Sequence, residues 1–354
     1  MEKQHRFLIR DRIQLELMSL NSRNLVVPLR RNNMKALVTG AAGFIGSNLS
    51  EYLIDQGIDV IGIDSFTGHY DPKFKRLNLF DLSFNEKFEL IEKDIALMPQ
   101  SELVNILEQV DVVFHLAARA GVRSCWGSEF APYLSDNILA TQNLLEALKW
   151  VPRKLIYAGT SSVYGDGPIP FNVSQKPEPV SPYGVTKNAA EDLIRLYGKW
   201  HDMPFTIMRL FNVYGPRQRP DMAFGRLIMA GISGEVFNLY GGVKREFTYV
   251  TDVCAALQDA FLYGDTGKTY NVSGGAVVSM DEIIKIIEKE LGKEINILRS
   301  PGIKGDASIT KANMGDIKKD LKWEPDTLLT EGIRKQVRWI KNNLNQASYY
   351  LNEV

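Results

Sequence analysis

The stretch KALVTGAAGFIG, residues 35–46, decides how the chain folds. A short apolar run ends at Gly40, Gly43 and Gly46 follow at intervals of three residues, and an amphipathic segment covers 44–56. This order predicts a buried parallel strand, a tight glycine turn and the start of a helix. Glycine allows a sharp turn and a close approach of phosphate, and the free N–H groups at the start of the helix attract an anion. The spacing G-x-x-G-x-x-G differs from the standard G-x-G-x-x-G, so the turn by itself does not specify a dinucleotide.

A carboxylate follows the second predicted strand and makes the turn more specific. The strand is DVIGI, residues 59–63, and Asp64 comes directly after it. Asp64 therefore stands roughly 20 residues beyond the glycine turn, where a carboxylate accepts hydrogen bonds from both hydroxyls of an adenosine ribose. Ser65 and Phe66 come next, and neither is an arginine that would receive a 2′-phosphate. The pattern predicts a dinucleotide site that prefers NAD to NADP.

Length, charge and cysteine content exclude several classes of protein. The chain has 354 residues, 45% of them hydrophobic, which is enough for one large domain or two closely joined domains with a sizeable core. Its 42 basic and 42 acidic side chains balance, so there is no electrostatic basis for binding nucleic acid or an anionic membrane. Cys125 and Cys254 cannot make a disulfide framework, and no His/Cys cluster has metal-ligand spacing. With no apolar run near the ~20 residues of a membrane span, we expect a protein of the reducing cytoplasm without a bound metal.

Apolar strands alternate with helical segments through much of the chain. This alternation predicts an α/β fold, a doubly wound parallel sheet flanked by helices on both faces. The stretch 65–87 between the second and third strands is predicted to be mostly loop. Further strands are predicted at 88–91, 111–116, 154–158 and 204–210, and long helical segments at 101–109, 129–150 and 182–200.

The chain is predicted to have three parts. Residues 1–33, rich in Arg and Asn, are expected to form an extension outside the fold, with a targeting role or a surface-packed helix as the alternative. Residues 34–212 form the predicted cofactor-binding domain. Smaller elements occupy 213–350, which we assign mainly to a substrate-binding α/β lobe, while a helix near 252–263 and a nearby strand are expected to return to the main sheet.

Thr160, Tyr183 and Lys187 form the predicted catalytic group. Tyr183 and Lys187 stand at positions i and i+4 of one predicted helix and therefore project from the same face. A phenol with an ordinary pKa near ~10 is a poor base at neutral pH, but a lysine ammonium one turn away and the positive nicotinamide of NAD would lower that pKa. Thr160, at the end of the fifth strand, is placed to hydrogen-bond the same substrate hydroxyl or to relay its proton. A Y-x-x-x-K pair alone is common on protein surfaces, and it is the glycine turn, together with Ser/Thr at the end of the fifth strand, that favours catalysis here.

With these residues in view, the sequence resembles the extended short-chain dehydrogenase/reductases of the NAD-dependent epimerase/dehydratase family, which act on nucleotide sugars. The resemblance covers about residues 34–340 and implies a Rossmann fold with a tightly bound NAD that is recycled in each turnover. It also implies a UDP- or dTDP-sugar substrate and a homodimer formed through the helices near 129–150 and 182–200. The motifs that carry it are GAAGFIG (40–46), Asp64, HLAARAGVR (115–123), GTSSVYG (159–165), SPYGVTK (181–187), RLFNVYGPRQRPDMA (209–223) and REFTYVTDV (245–253).

The resemblance assigns residues to the two ligands. In the substrate set, Phe237 to Leu239 would line the uracil, Arg245 would neutralise phosphate, and Asp306 would reach the uridine ribose. Arg119 stands where many relatives have Gln, and Ser65 where many have Asn. The implied cofactor contacts are Gly40, Gly43, Phe44, Ile45, Gly46, Asp64, Ser65, Asp94, Ile95, Leu116, Ala117, Ala118, Tyr183 and Lys187. The implied substrate contacts are Thr160, Ser161, Ser162, Tyr183, Asn212, Arg217, Arg219, Phe237, Asn238, Leu239, Arg245 and Asp306.

Two serines narrow the reaction within the family. Dehydratases of the family resemble one another in carrying Asp-Glu after the catalytic Thr, and the decarboxylases tend to carry Ser-Glu, whereas this chain has Ser161-Ser162. Reversible oxidation at C4 of the sugar remains. Tyr183 would take the 4-OH proton while NAD takes the C4 hydride, the 4-ketosugar would rotate, and the hydride would return to the opposite face.

The segment GPRQRPDMA, residues 215–223, bears on the substrate because it resembles the same segment of UDP-glucuronate 4-epimerases. Arg217 or Arg219 would suit a C6 carboxylate, since guanidinium binds carboxylate bidentately, although either would equally suit the diphosphate. We expect conversion of UDP-glucuronate to UDP-galacturonate. A UDP-glucose 4-epimerase and a UDP-glucuronate decarboxylase stay open as alternatives. So does an NAD-sensing regulatory protein, which would be expected to lack the Tyr–Lys pair.

Overall fold

Seven parallel strands form the centre of the structure, a computed structural model that describes residues 34–242, 244–301 and 309–343. The predicted extension, residues 1–33, lies outside these ranges. The strands are β1 (Lys35–Thr39), β2 (Asp59–Asp64), β3 (Phe88–Glu92), β4 (Val112–His115), β5 (Lys154–Thr160), β6 (Phe205–Leu210), β7 (Asn212–Tyr214), β8 (Phe237–Tyr240), β9 (Lys244–Tyr249), β10 (Lys268–Val272), β11 (Val277–Ser279) and β12 (Ile297–Ser300). The α-helices are α1 (Phe44–Asp55), α2 (Pro72–Asn78), α3 (Gln100–Glu108), α4 (Phe130–Tyr133), α5 (Ala140–Leu148), α6 (Pro182–His201), α7 (Ala223–Ser233), α8 (Val250–Tyr263), α9 (Met280–Leu291), α10 (Gly315–Leu321) and α11 (Leu329–Asn342).

The order of the main sheet is β10-β6-β5-β4-β1-β2-β3, and each neighbouring pair is parallel. β1 lies between β2 and β4, so that Lys35 faces Asp59 and Ala36 faces Val112. The strand order changes direction between β1 and β4, and a crevice opens at the carboxyl ends of strands at such a switch point. The predicted doubly wound sheet is confirmed.

Side chains of the central strands pack on both faces of this sheet. In β1, Ala36 and Val38 belong to one buried cluster and Leu37 to the other. In β5, Ile156 and Tyr157 divide in the same way. Because alternate residues of a strand point to opposite faces, both faces are covered, which explains why these strands are apolar throughout.

Smaller sheets are formed by strands that follow β6. β9 pairs in parallel with β7 and antiparallel with β11, while β8 pairs in parallel with β12. β10 lies at the edge of the main sheet beside β6, and α8 packs against α1. Within the described ranges, no helix has the length and apolarity needed to cross a bilayer.

Helix α2 lies in the stretch predicted to be mostly loop. Pro72 is its first residue, and Asp71 Oδ1 accepts a hydrogen bond from the backbone N of Lys73 at 2.9 Å. These are ordinary helix-start signals, but a helix of 7 residues is too short to show a periodic apolar pattern. β7, β11, β12 and α10, which have 3 to 7 residues, are likewise absent from the prediction.

The long helix predicted at 129–150 is interrupted by a π-helical segment, Leu134–Leu139, between α4 and α5. Such segments insert an extra residue into a turn and are frequent at functional sites. The polar residues Asp136 and Asn137 lie in this segment, and Asp136 lines the cavity described below.

Candidate active site

A cavity of about 430 Å³ opens at the carboxyl ends of β1 and β4, within the range of roughly 300–1,000 Å³ that is usual for small-molecule sites. Every residue predicted to contact the cofactor lines it, from Gly40 in the turn to Lys187 in α6. The cavity is also lined by predicted substrate residues, which are Thr160, Ser161, Ser162, Tyr183, Asn212 and Arg219. The fold thus brings segments that are far apart in the sequence to one place.

The glycine turn leaves no space for side chains. Gly40 has a φ of +68°, and a Cβ there would lie 2.9 Å from the backbone N of Ala117. A Cβ on Gly46 would lie 2.1 Å from the carbonyl O of Gly40, because α1 packs directly against the turn. Gly43 is the N-cap residue of α1 and supplies no side-chain acceptor to the first N–H groups of the helix. These N–H groups can therefore hydrogen-bond a pyrophosphate.

Asp64 lies buried at the end of β2, with both carboxylate oxygens hydrogen-bonded. Oδ2 accepts from the backbone N of Ala42 at 3.1 Å, and Oδ1 accepts from the backbone N of Phe66 at 2.8 Å. Nζ of Lys75 lies 2.8 Å from Oδ1, and the side chains of Lys75 and Asp64 are only 11% and 3% exposed. These contacts fix the carboxylate at the wall of the cavity, where the sequence predicts that it contacts the ribose. Lys75 is absent from the predicted contacts because it lies on the short helix α2.

The end of β3 contributes Asp94 and Ile95 to the same part of the cavity. Asp94 caps a 3-10 turn, Ile95–Leu97, and its Oδ1 accepts a hydrogen bond from the backbone N of Ala96 at 2.9 Å. The cap orients the Asp94 side chain, while Ile95 supplies an apolar wall that suits a base.

A buried chain of hydrogen bonds holds the end of β4 behind the cavity. Oγ1 of Thr39 accepts from the backbone N of Ala117 at 3.1 Å and lies 2.7 Å from Nδ1 of His115. Nε2 of His115 lies 3.0 Å from Oγ1 of Thr141. Burial, reinforced by the charge of Lys187, lowers the pKa of His115 to about 3, so its ring stays neutral. His115 is therefore a packed polar link between β1, β4 and α5.

Tyr183 and Lys187 lie one turn apart near the start of α6. The helix begins just before Tyr183, because Oγ of Ser181 caps it by accepting from the backbone N of Gly184 at 3.1 Å. The side chain of Thr160, the last residue of β5, lies close enough to the hydroxyl of Tyr183 to lower the pKa of that hydroxyl. The three predicted catalytic residues are brought together at the cavity wall.

Burial shifts the pKa values of the catalytic pair toward the neutral forms. It raises the pKa of Tyr183, and the hydrogen bond with Thr160 and the charge of Arg219 oppose this only in part. It lowers the pKa of Lys187 to about 7. Nζ of Lys187 lies 4.1 Å from the centroid of the Tyr157 ring, an apolar face that disfavours full solvation of the ammonium. The chain alone thus holds a neutral phenol, and the predicted phenolate requires the positive nicotinamide as well.

Arg219 reaches the cavity from the loop after β7. Its side chain is 16% exposed and forms a double hydrogen bond to Asp221, from Nε to Oδ1 at 3.0 Å and from Nη2 to Oδ2 at 2.8 Å. Arg217, the other predicted carboxylate ligand, has a left-handed φ of +67° and directs Nη1 to within 3.0 Å of Oε2 of Glu51 in α1. Arg219 lines the cavity and Arg217 does not.

A second polar group at the cavity was not predicted as a unit. Nε of Arg119 donates to Oδ2 of Asp136 at 2.9 Å, and its Nη1 lies 3.2 Å from Nδ1 of His69. Nε2 of His69 lies 2.7 Å from the carbonyl O of Ala120, and because a carbonyl only accepts, Nε2 carries the proton. Burial, followed by the charge of Arg219, lowers the pKa of His69 to about 4. This group links the loops after β2 and β4 to the π-helical segment. The sequence signal for it is Arg119, which stands where many relatives have Gln.

Other predicted substrate residues lie outside the cavity. Phe237 and Leu239 are buried in the hydrophobic core, and Asn238 between them is exposed. Arg245 is buried in β9 and does not line the cavity, and Asp306 lies outside the described residues. No group of His, Cys, Asp and Glu in the described ranges is arranged to hold a metal ion.

Comparisons with known proteins agree with this geometry. Residues 36–273 match the NAD dependent epimerase/dehydratase family. The chain is 40% identical over 319 residues to an uncharacterized UDP-glucose epimerase, YtcB, of Bacillus subtilis, a match that covers 87% of this chain and 98% of that protein. It is 35% identical over 313 residues to a UDP-glucuronate 4-epimerase of Thermodesulfobacterium geofontis, covering 87% and 96%. The crystal structure of UDP-glucuronic acid 4-epimerase from Bacillus cereus in complex with UDP-glucuronic acid and NAD superposes with a TM-score of 0.84 at 38% identity, covering 88% of this chain and 100% of that one.

Proposed function

Because the chain belongs to the NAD-dependent epimerase/dehydratase family, we propose that it is an NAD-dependent isomerase that converts UDP-glucuronate to UDP-galacturonate through a 4-keto intermediate. One observation carries the proposal. A single cavity contains Tyr183 with its partner Lys187, an anion-binding glycine turn, and the guanidinium of Arg219.

The cofactor end of the cavity fits NAD. The N–H groups that follow Gly43 suit the pyrophosphate, and the lack of space for a Cβ at Gly46 keeps α1 close to it. Asp64, held by Lys75, would accept hydrogen bonds from the adenosine ribose. When bound, NAD accepts a hydride from C4 of the sugar and returns it, so that it is recycled.

Tyr183 is the proposed acid and base. Its phenolate oxygen would take the proton of the 4-OH as C4 is oxidised, and the resulting phenol would give that proton back on reduction. Thr160 lies beside that hydroxyl and would hold it toward the substrate. A protonated Lys187 and the positive nicotinamide together would lower the pKa of Tyr183, against the effect of burial.

Ser161 and Ser162 would hydrogen-bond the sugar without acting as acids. They follow Thr160 in a 3-10 turn, Ser161–Tyr164, and line the cavity. Removal of water from a sugar needs an acid and a base beside Tyr183, and a serine hydroxyl is too weak an acid for that role. The pair therefore favours epimerisation over dehydration.

Arg219 is the proposed ligand of the C6 carboxylate. A guanidinium binds a carboxylate through two parallel hydrogen bonds, which fixes its orientation. The 4-keto form of the substrate is a β-keto acid that loses CO2 readily, and holding its carboxylate next to a positive charge opposes that loss. The same contact would favour a uronate over a neutral hexose.

The nucleotide end of the substrate is assigned to residues 213–350, with residues 34–212 binding the cofactor. Asn212, the last residue of the cofactor-binding part, lines the cavity. For Phe237–Leu239, Arg245 and Asp306, contacts with the uridine diphosphate rest on the family resemblance.

We also propose a homodimer formed through α6 and the helical region before β5. α6 packs against the π-helical segment, and apolar side chains on both elements face outward. Leu139, Val185 and Leu196 on these two elements are 46%, 48% and 49% exposed and offer apolar surface that a second subunit would bury. A cytoplasmic location fits the two buried free cysteines.

A UDP-glucose 4-epimerase is the second candidate, because one of the similar proteins is named an uncharacterized UDP-glucose epimerase. Incubation of the purified protein with UDP-glucuronate and with UDP-glucose, followed by proton NMR, separates the candidates. We expect a C4-inverted uronate without CO2. Ready conversion of UDP-glucose with UDP-glucuronate left untouched would refute the uronate assignment, and a pentose with CO2 would indicate a decarboxylase.

A further inference from the structure

A tight turn holds Arg219 and Asp221 together. The backbone N of Met222 donates a hydrogen bond to the carbonyl O of Arg219 at 3.1 Å, and Pro220 occupies the first central position of this turn. Proline fixes its own φ and restricts the residue before it. The two side chains therefore project from a rigid piece of backbone, and the geometry of this turn sets their pairing.

Asp221 occupies one edge of the guanidinium of Arg219. A guanidinium has five N–H donors, and Asp221 takes the one on Nε and one on Nη2, at 3.0 and 2.8 Å. Of the remaining donors, one on Nη1 and one on Nη2 are parallel and form a second fork. Arg219 lines the cavity and Asp221 does not. A carboxylate in the cavity can thus bind this fork while Asp221 stays in place.

The partial exposure of the pair limits what it contributes to the stability of the fold. The side chain of Asp221 is 44% exposed, and ion pairs with an exposed partner contribute little to the free energy of unfolding. Its clear effect is on Arg219, whose planar group cannot rotate while both oxygens of Asp221 are engaged.

We propose that Asp221 is a positioning residue that determines specificity at C6 of the sugar. This inference rests on the proposed function and extends it to a residue that does not touch the substrate. By holding the fork of Arg219 in one plane, Asp221 favours a carboxylate, which uses both donors, over a C6 hydroxyl, which uses one.

The same orientation limits loss of CO2 from the 4-keto intermediate. In that loss the C5–C6 bond breaks, its electron pair forms the C4–C5 enolate, and C5 is then protonated. Return of the hydride to C4 would yield a UDP-pentose. A carboxylate that is bound to a cation is stabilised in its charged form and held in one orientation, and both effects oppose loss of CO2. If Arg219 is no longer fixed by Asp221, we expect the fraction of UDP-pentose to rise.

The test uses the NAD-loaded protein with Asp221→Asn in a Tyr183→Phe background, so that bound nucleotides are not turned over. Calorimetry gives the Kd for UDP-glucuronate and for UDP-glucose in the presence and absence of the substitution. We expect the Kd for UDP-glucuronate to rise about tenfold, as for loss of one charge-assisted contact, and the Kd for UDP-glucose to change by less than about twofold. With Asp221→Asn alone, the UDP-pentose fraction is expected to rise several-fold.

The matched control is Asp281→Asn, which breaks a pair with Arg299 (2.5 Å) in which both side chains are more than half exposed. It should leave both Kd values and the product ratio unchanged. Equal weakening of both nucleotides by Asp221→Asn, no weakening, or tighter binding of UDP-glucuronate would each overturn the positioning role. The proposed function itself would be refuted if the Tyr183→Phe protein, with Asp221 intact, bound UDP-glucose but not UDP-glucuronate. In that case the substrate would have no C6 carboxylate for Arg219 and Asp221 to recognise.

Discussion

The two ends of the cavity are built in different ways. The proposed cofactor end depends on backbone groups and buried pairs, since Gly46 has no space for a Cβ and the Asp64 side chain is only 3% exposed. The proposed sugar end depends on side chains of a loop, and those of Arg219 and Asp221 are 16% and 44% exposed. A change at the first end should therefore disturb folding and cofactor retention together. A change at the second end should alter the choice of substrate and leave the fold intact.

The largest effect is expected at Tyr183, where the two ends meet. Tyr183→Phe removes the hydroxyl that carries the proton, and turnover should fall by about 10³-fold while NAD and UDP-sugar stay bound. Initial rates by NMR and the NAD released on denaturation measure the two properties. Tyr263→Phe, at a tyrosine that is 40% exposed at the end of α8, is the control and should retain full activity. Retained turnover in Tyr183→Phe would remove this residue from the mechanism.

Gly46→Ala tests whether the cofactor end of the cavity can accommodate an added side-chain atom. The new Cβ would meet the carbonyl O of Gly40 at 2.1 Å, and relief of that clash must move α1 or the turn. We expect a loss of about 3 kcal/mol in the free energy of unfolding, together with loss of bound NAD. Urea unfolding and cofactor content measure both. Gly242→Ala is the control, because no atom lies within 4 Å of the added Cβ, and it should change neither stability nor cofactor content. An equal effect of the two substitutions would contradict the close packing of α1 on the glycine turn.

Arg219→Ala tests the sugar end. We expect kcat/KM for UDP-glucuronate to fall by about 30-fold, with a much smaller change for UDP-glucose and no change in unfolding. Arg217→Ala is the matched control, because it breaks an ion pair with Glu51 outside the cavity. The reverse result, a change in substrate ratio with Arg217→Ala only, would assign the carboxylate to the other arginine.

Lys187→Met should separate function from stability within the cofactor end. Burial lowers the pKa of Lys187 to about 7 from an ordinary 10.5, so the unfolded chain binds more protons than the folded one between these values. Stability of the wild-type chain should therefore rise with pH from about 7 to 10.5, and below pH 7 the full cost of burying the ammonium remains. We expect Lys187→Met to abolish turnover yet raise the free energy of unfolding of the cofactor-free protein by about 1 kcal/mol at pH 7.

The measurement is urea unfolding of the wild type and of Lys187→Met at pH 7 and pH 9.5. The gain from the substitution should shrink at the higher pH, where the folded wild-type chain no longer holds the charge. A gain that is independent of pH would mean that packing, and not the buried ammonium, sets the difference. A loss of stability at both values would contradict the desolvation of Lys187.

Local spacing was sufficient for much of the fold and for the elements that carry the proposed catalytic residues. The glycine turn, Asp64 after β2, and Tyr183 with Lys187 could be read from the sequence because each depends on neighbours within one turn or one strand. Strand and helix periodicity likewise predicted the parallel sheet. Short elements such as α2 escaped prediction because 7 residues are too few to show a period.

The pairing of side chains across the cavity was decided only by the tertiary structure. Arg217 and Arg219 are equivalent in the sequence, yet one meets Glu51 and the other reaches the cavity. No local sequence pattern predicts that Lys75 lies beside Asp64, or that Arg119 lies between Asp136 and His69. The physical reason is that the role of such a charged side chain depends on the groups that folding brings within about 3 Å, and for Arg217 and Arg119 these include Glu51 and His69, from distant parts of the chain.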